Sequence, residues 1–200
     1  MRTRICLTGQ PSELVRLAQH ETAPLARPEV EAVVVACPAT AEERSLVAGL
    51  RAAADRHDVA FLVADDQDLA DEVAADGVEI AWQRDIYDAA RDRFGDGRSV
   101  GCRVGLSRHL AMQAAEAGCD YVLFRPGGQT RGDIEAMIAQ AAWWAEIFEV
   151  ACMAAGTGEA DDIMALTRAG VDFVALDACL PPDRIGALIA AAGGLCEGAS

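Results

Sequence analysis

The feature that most constrains this chain is a regular alternation along its length. Short apolar runs are separated by longer, Ala-rich amphipathic stretches. The runs near Arg4–Leu7, Ala32–Cys37, Ala60–Ala64, Gly77–Ile80, Ser99–Val104, Tyr121–Phe124, Glu149–Met153 and Phe173–Leu176 predict strands. The stretches Pro11–Gln19, Ala41–Arg56, Asp68–Ala74, Ile86–Arg93, Arg108–Ala117, Gly132–Ala145, Ala160–Arg168 and Pro182–Ala192 predict helices. Strict alternation requires parallel strands joined by helical crossovers. Such strands are buried on both faces and read as continuous apolar runs. Ala-Val-Val-Val-Ala-Cys and Phe-Val-Ala-Leu both do so. A doubly wound open sheet competes, but it has fewer strands and a G-x-G-x-x-G turn after the first, which is missing here. The expectation is a compact, single-domain α/β fold, a (β/α)8 barrel of the TIM type over residues 1–200, with 193–200 as a tail.

A short phrase recurs at the helix-to-strand joints. It reads Ala74-Ala75-Asp76-Gly77-Val78, then Ala117-Gly118-Cys119-Asp120-Tyr121-Val122, then Ala169-Gly170-Val171-Asp172-Phe173-Val174. Gly closes a helix in the left-handed conformation, and Asp leads into the next strand. The repeat marks a structural unit, not a function.

Charge removes several function classes. The net charge is −15, and no dense run of Arg supplies the basic face a nucleic-acid binder needs. The same acidity disfavours an acidic membrane surface, and no apolar run is long enough to span a bilayer. All 17 basic residues are Arg, and lysine is absent. A Schiff-base lysine and a P-loop lysine are therefore excluded. Any anion must be held by Arg, backbone N–H groups, hydroxyls or a metal. The seven cysteines are scattered without a C-x-x-C pair, which reads as reduced thiols in a cytoplasmic protein.

In a barrel of this kind the reactive residues stand at strand C-termini and in the loops that follow. After strand three, Asp65 sits where a carboxylate can hold Mg²⁺ or simply make a turn, and Asp68 reads as a helix cap. After strand four, Glu79 is an acid inside an apolar run that can point into the mouth, and Asp85 is a second ligand or a cap. After strand five, Ser107 is a helix cap or an anion contact. His109 is a general acid–base or a surface histidine. After strand six, Arg125, Thr130 and Arg131 surround a Gly-rich loop that can close over an anionic ligand. After strand seven, Gly156, Thr157 and Gly158 suit a phosphate held by backbone N–H groups, with Asp177 after strand eight beside them. Of the pair Trp143 and Trp144, at least one ring is expected outward, as a homodimer contact.

Three stretches carry a resemblance. Around Asp65 to Gly77 the chain reads A-D-D-Q-D-L-A-D-E-V-A-A-D-G-V-E, from Val104 to Phe124 it reads V-G-L-S-R-H-L-A-M-Q-A-A-E-A-G-C-D-Y-V-L-F, and it ends on A-G-V-D-F-V-A-L-D-A-C-L. These resemble the N-D-x-x-D-L-A…G-A-D-G-V-H-L, G-x-S-x-H…G-A-D-Y-V-x-F-G and G-A-D-G-V-A-V-x-S-A-I segments of the thiamine phosphate synthases and the related TenI-type thiazole tautomerases. The resemblance implies a small (β/α)8 barrel acting in thiamine metabolism. The synthase joins an aminopyrimidine pyrophosphate to a thiazole phosphate, with Mg²⁺ on the pyrophosphate. By position, Asp65 and Asp85 would be the metal ligands and Ser107 a pyrophosphate contact. His109 matches the proton-transferring histidine of the tautomerases.

The departures are specific. The family's Q-x-R-x-K after strand two reads Val-Val-Val-Ala-Cys, and the Asn before Asp65 is Ala64. The T-x-T-K loop has become Gly128-Gln129-Thr130-Arg131, and G-G-I has become Ala-Gly-Thr. Losing several charged contacts weakens pyrophosphate binding and transition-state stabilisation together. The expected protein is a divergent synthase-like barrel binding a small phosphorylated thiazole- or pyrimidine-type metabolite at its C-terminal face, and the missing cations argue against ordinary synthase activity. The alternatives are a non-catalytic or regulatory phosphometabolite-binding barrel, and a tautomerase using His109.

Overall fold

The structure, a computed structural model, describes residues 3–21 and 24–193. Strands β1 (Arg4–Gly9), β2 (Val30–Val35), β3 (Ala60–Ala64), β4 (Gly77–Ala81), β5 (Ser99–Gly105), β6 (Tyr121–Phe124), β7 (Ala151–Ala155) and β8 (Phe173–Asp177) are all parallel. They pair in chain order, and β8 closes onto β1 through the register Cys6↔Ala175. Each strand leads to a helix: α1 (Pro11–Gln19), α2 (Ala41–Arg56), α3 (Gln67–Glu72), α4 (Arg84–Phe94), α5 (Arg108–Glu116), α6 (Arg131–Ile147), α7 (Ala160–Arg168) and α8 (Pro182–Gly193). The predicted barrel is the observed one. Residues 194–200 of the expected tail lie outside the described residues, and Gly193 still belongs to α8.

The period-2 pleat divides each strand between two cores. Ile5, Val33, Phe61, Val78, Val100, Val122, Cys152 and Val174 face the helices in the larger cluster. Cys6, Val34, Leu62, Tyr121, Leu123, Met153 and Ala175 face the barrel axis in a smaller one. The axis carries small residues on most strands, which leaves room for a few large or charged ones.

The recurrent Asp proves to be a clasp between neighbouring strands. Asp76, Asp120 and Asp172 each accept a hydrogen bond from the start of the preceding strand: Phe61 N–H at 2.7 Å, Val100 N–H at 2.7 Å and Cys152 N–H at 2.9 Å. The helix before each Asp closes at φ > 0, on Gly118 and Gly170 in two copies and on Ala74 in the third.

Some boundaries move. The strand expected over Ala32–Cys37 begins two residues earlier, because Ile5 N–H donates to Glu29 C=O and draws Val30 into register. The strand expected over Glu149–Met153 starts at Ala151, because α6 runs on to Ile147 and the Trp144 indole N–H holds Val150 C=O at 2.7 Å. Asp68 does not cap α3. Asp66 does, accepting from Leu69 N–H at 2.8 Å, and Asp68 instead pairs with Arg93. The N-cap of α4 is Gln83, which leaves Asp85 in the first turn. No described helix is long and apolar enough to cross a membrane.

Candidate functional site

The C-terminal ends of the strands surround a cavity of about 350 Å³, lined among others by Thr8, Gly9, Gln10, Glu13, Cys37, Asp65, Glu79, Arg103, Arg125 and Asp177. Strand parity puts the charged groups there. Glu79 lies between the helix-facing Val78 and Ile80, and Arg103 between Cys102 and Val104. Each therefore points to the axis.

Glu79 is 4% exposed. Its Oε2 accepts from the Tyr121 hydroxyl at 3.0 Å, and its Oε1 lies 3.5 Å from Arg103 Nη1. Tyr121 reaches it across Gly101, where an added Cβ would stand 2.0 Å from Tyr121 Cζ. Register sets this up: Gly101 is the partner of Glu79 on one side and of Tyr121 on the other. Burial pushes the Glu79 carboxyl above the ordinary carboxylate range, while Arg103 and the Tyr121 hydroxyl pull the other way. Burial and the nearby Glu79 push the Tyr121 phenol up.

Asp65 occupies the rim. Its backbone is left-handed, at φ 59, and its N–H donates to Glu79 C=O at 3.0 Å. A non-Gly residue in this region is strained and held by its surroundings. The turn presents the Asp65 carboxylate to Arg103, whose Nη2 donates to it. Arg125 faces Asp177 at 3.7 Å, beyond hydrogen-bond reach, and its guanidinium makes no side-chain hydrogen bond among the described residues. Cys37 also lines the cavity, but burial and the neighbouring Asp66 and Asp65 push its thiol up, away from a thiolate nucleophile.

Of the residues singled out in the sequence, Asp65 and Arg125 come together here, with Glu79 and Asp177 beside them. The others take different places. Ser107 caps α5 through Leu110 N–H, and His109 is exposed in the first turn of that helix. Thr130 caps α6 in a reciprocal box with Asp133. Arg131 and Thr157 both donate to the buried Asp162, at 2.6 and 2.8 Å, so a carboxylate of the chain already takes these two donors. Gly156 adopts φ 105 and packs so closely on Pro126 that a Cβ would lie 3.1 Å from Cδ. Gly158 C=O accepts from Arg184 at 2.8 Å. Trp144 is buried, while Trp143 is half-buried beneath the Arg108 guanidinium at 4.2 Å. Arg103 was not foreseen. Its signal is a lone charge at axis parity within an apolar strand.

The two carboxylates expected to hold Mg²⁺ do not both line the cavity. The Asp65 carboxylate is engaged by Arg103, Asp85 is exposed outside the cavity lining, and the described residues contain no group of three His, Cys, Asp or Glu able to hold a metal.

Comparison with known proteins bears on this barrel directly. The family model described as Thiamine monophosphate synthase matches residues 18–179. Thiamine-phosphate synthase of Erythrobacter litoralis is 37% identical over 140 residues, covering 68% of this chain and 66% of that protein. The enzyme of the same name from Rhodospirillum centenum is 38% identical over 130 residues, covering 64% and 63%. The match thus spans just under two thirds of these relatives' length. Among solved structures, thiamine phosphate pyrophosphorylase from Pyrococcus furiosus superposes with a TM-score of 0.71 at 18% identity, covering 94% of this chain and 96% of that one. A 3-hexulose-6-phosphate synthase superposes at 0.68 with 17% identity, covering 94% and 99%. These two show the shared barrel. The chain belongs to the thiamine monophosphate synthase family.

Proposed function

We propose that this protein is a divergent member of its family that binds a phosphorylated thiazole- or pyrimidine-type ligand in the mouth of the barrel and has lost ordinary synthase turnover. The observation that carries this reading is the cation supply of the cavity. Its cations are Arg103 and Arg125. Arg103 is committed to Asp65 and Glu79, while Arg125 keeps its hydrogen-bond donors free for an anion. One guanidinium can fork onto a phosphate. It does not replace the several cations that a pyrophosphate leaving group needs. The cavity is also large enough for a single heterocycle with a short side chain.

Two measurements on one sample test the reading. Thiamine phosphate formation is assayed from the family's two substrates with Mg²⁺, and the melting temperature is followed as thiazole phosphate is added. The expected result is no turnover above background together with a raised melting temperature. Turnover at an ordinary enzymatic rate overturns the loss of synthase activity. An unmoved melting temperature overturns the ligand class.

A further inference from the structure

We infer that the base of the barrel holds a second binding site, shaped for a small apolar amine: one ring on a short arm that ends in an ammonium group. The sequence makes the cavity. Barrels of this type fill their axis with layers of bulky, branched side chains. Here the first axis-facing positions are Arg4, Ala32, Ala60, Ser99, Ala151 and Phe173. Most of them are Ala or Ser, so the strands begin around a cavity of about 300 Å³. Val34, Leu62 and Met153 line it further in. Tyr121 is the partition towards the mouth: its ring lines this cavity, and its hydroxyl reaches Glu79 in the other. The two cavities have no lining residue in common. The inference therefore stands apart from the ligand reading of the mouth.

Apolar walls favour a ligand whose body releases water from them. Charge at the rim selects the head group. Glu31 and Asp120 line the cavity. A polar cleft shares Glu31 and Ala60 with it, and adds Asp55, Asp58 and Asp76. Among the described residues lining these two spaces, the cations are Arg4 and Arg51. Carboxylates outnumber them, and both are already engaged. Arg51 pairs with Asp55 and Asp76. Arg4 lies over the Phe173 ring at 4.1 Å and pairs with Glu31. Asp120 is taken by Arg91 at 2.6 Å and by Val100 N–H at 2.7 Å. Glu31 is held more loosely: its Oε2 lies 3.4 Å from Arg4 Nη1, and its side chain is half exposed. An ammonium at the rim thus meets Glu31 and the acidic cleft, with its ring set between Ala32, Ala60 and Leu62. A carboxylate on the same ring would face Glu31, with only the shared Arg4 to offset the repulsion.

The test uses the whole protein and phenethylammonium as probe, and follows the Arg4 Nε–Hε and Met153 methyl NMR signals. Both are expected to move in a saturable way while Arg103 and Arg125 stay still. Hydrocinnamate, an anion of similar size, is expected to bind at least about tenfold more weakly. Methylammonium has the head group without the ring, and is expected to lose at least as much. Ala60→Leu fills the cavity and is expected to abolish the response. Glu31→Gln lies on the exposed rim, where folding is least at risk. It is expected to weaken the amine about fivefold or more and to leave neutral phenethyl alcohol within about twofold of the parent. Arg4 and Met153 signals that do not move overturn the inference, as does a shift confined to Arg125. Hydrocinnamate binding as tightly as the amine, or an unchanged amine affinity in Glu31→Gln, overturns the choice of a cation. An Arg4 signal that changes with protein concentration alone assigns the base to a second copy of the chain and overturns the site. None of these failures touches the thiazole phosphate reading, whose signals come from the other cavity.

Discussion

The two ends of the barrel axis are made by the same eight strands, yet they differ in kind. At the C-terminal end Asp65, Glu79, Arg103, Arg125 and Asp177 surround a polar cavity of about 350 Å³. At the N-terminal end a cavity of about 300 Å³ is walled mostly by Ala32, Val34, Ala60, Leu62, Met153 and Phe173. Arg4 stacks on Phe173 at 4.1 Å at that end and pairs with Glu31 at its edge. The axis-facing positions of one strand can therefore be apolar at its start and ionic at its end. In β5 they run Ser99, Gly101, Arg103, and in β8 Phe173, Ala175, Asp177. The lesson is that charge at the base stays on half-exposed side chains at the edge, Arg4 and Glu31, whereas at the mouth it reaches the buried Glu79, which is held by partners.

The boundary between the two regions is the Gly101–Tyr121–Glu79 contact, and breaking it has the largest expected effect on stability. Gly101→Ala places a methyl inside the Tyr121 ring. A cost of about 3 kcal/mol is expected in urea unfolding, and Tyr121→Ala in the same chain should recover much of it. A full cost that persists in the double variant would show that the strain arises elsewhere.

A smaller effect sharpens the contrast from the mouth side. Arg103→Met removes the cation shared by Asp65 and Glu79. About 2 kcal/mol is expected at neutral pH, limited because Glu79 can take up a proton instead. The pH dependence follows from sign. The folded carboxyl is already raised above its unfolded value by burial. Its contribution to stability is therefore full below the ordinary carboxylate range and is lost as pH rises through the raised value. Removing Arg103 raises that value further, so the destabilisation should grow with pH and nearly vanish in acid. A pH-independent loss measured by chemical denaturation would contradict this role.

The fold was legible in the sequence because hydrophobic period and turn chemistry agree over the whole chain. Tyr121–Phe124 and Ala60–Ala64 are seen as expected because apolar runs end at charged or Gly-rich joints. The caps were less legible. Asp65, Asp66 and Asp68 form an acidic run, and only the left-handed turn at Asp65 decides that Asp66 is the cap. In the site, Asp65 and Arg125 were visible as strand-end residues. Glu79 stood out as an acid in an apolar run, but its partner Arg103 did not, because pairing β4 with β5 is a matter of register. Thr157 and Arg131 suited a phosphate by residue type, and the sequence does not show that Asp162 reaches them first.

Binding of the phosphorylated ligand at the mouth and not at the base is what separates the two ends of the axis. The most direct measurement follows the side-chain Nε–Hε NMR signals of the arginines as thiazole phosphate is added. Arg125 and Arg103 are expected to move together in a saturable way while Arg4, at the opposite end, stays still. Movement of Arg4 with Arg103 and Arg125 unchanged, or no movement in any of the three, would contradict it.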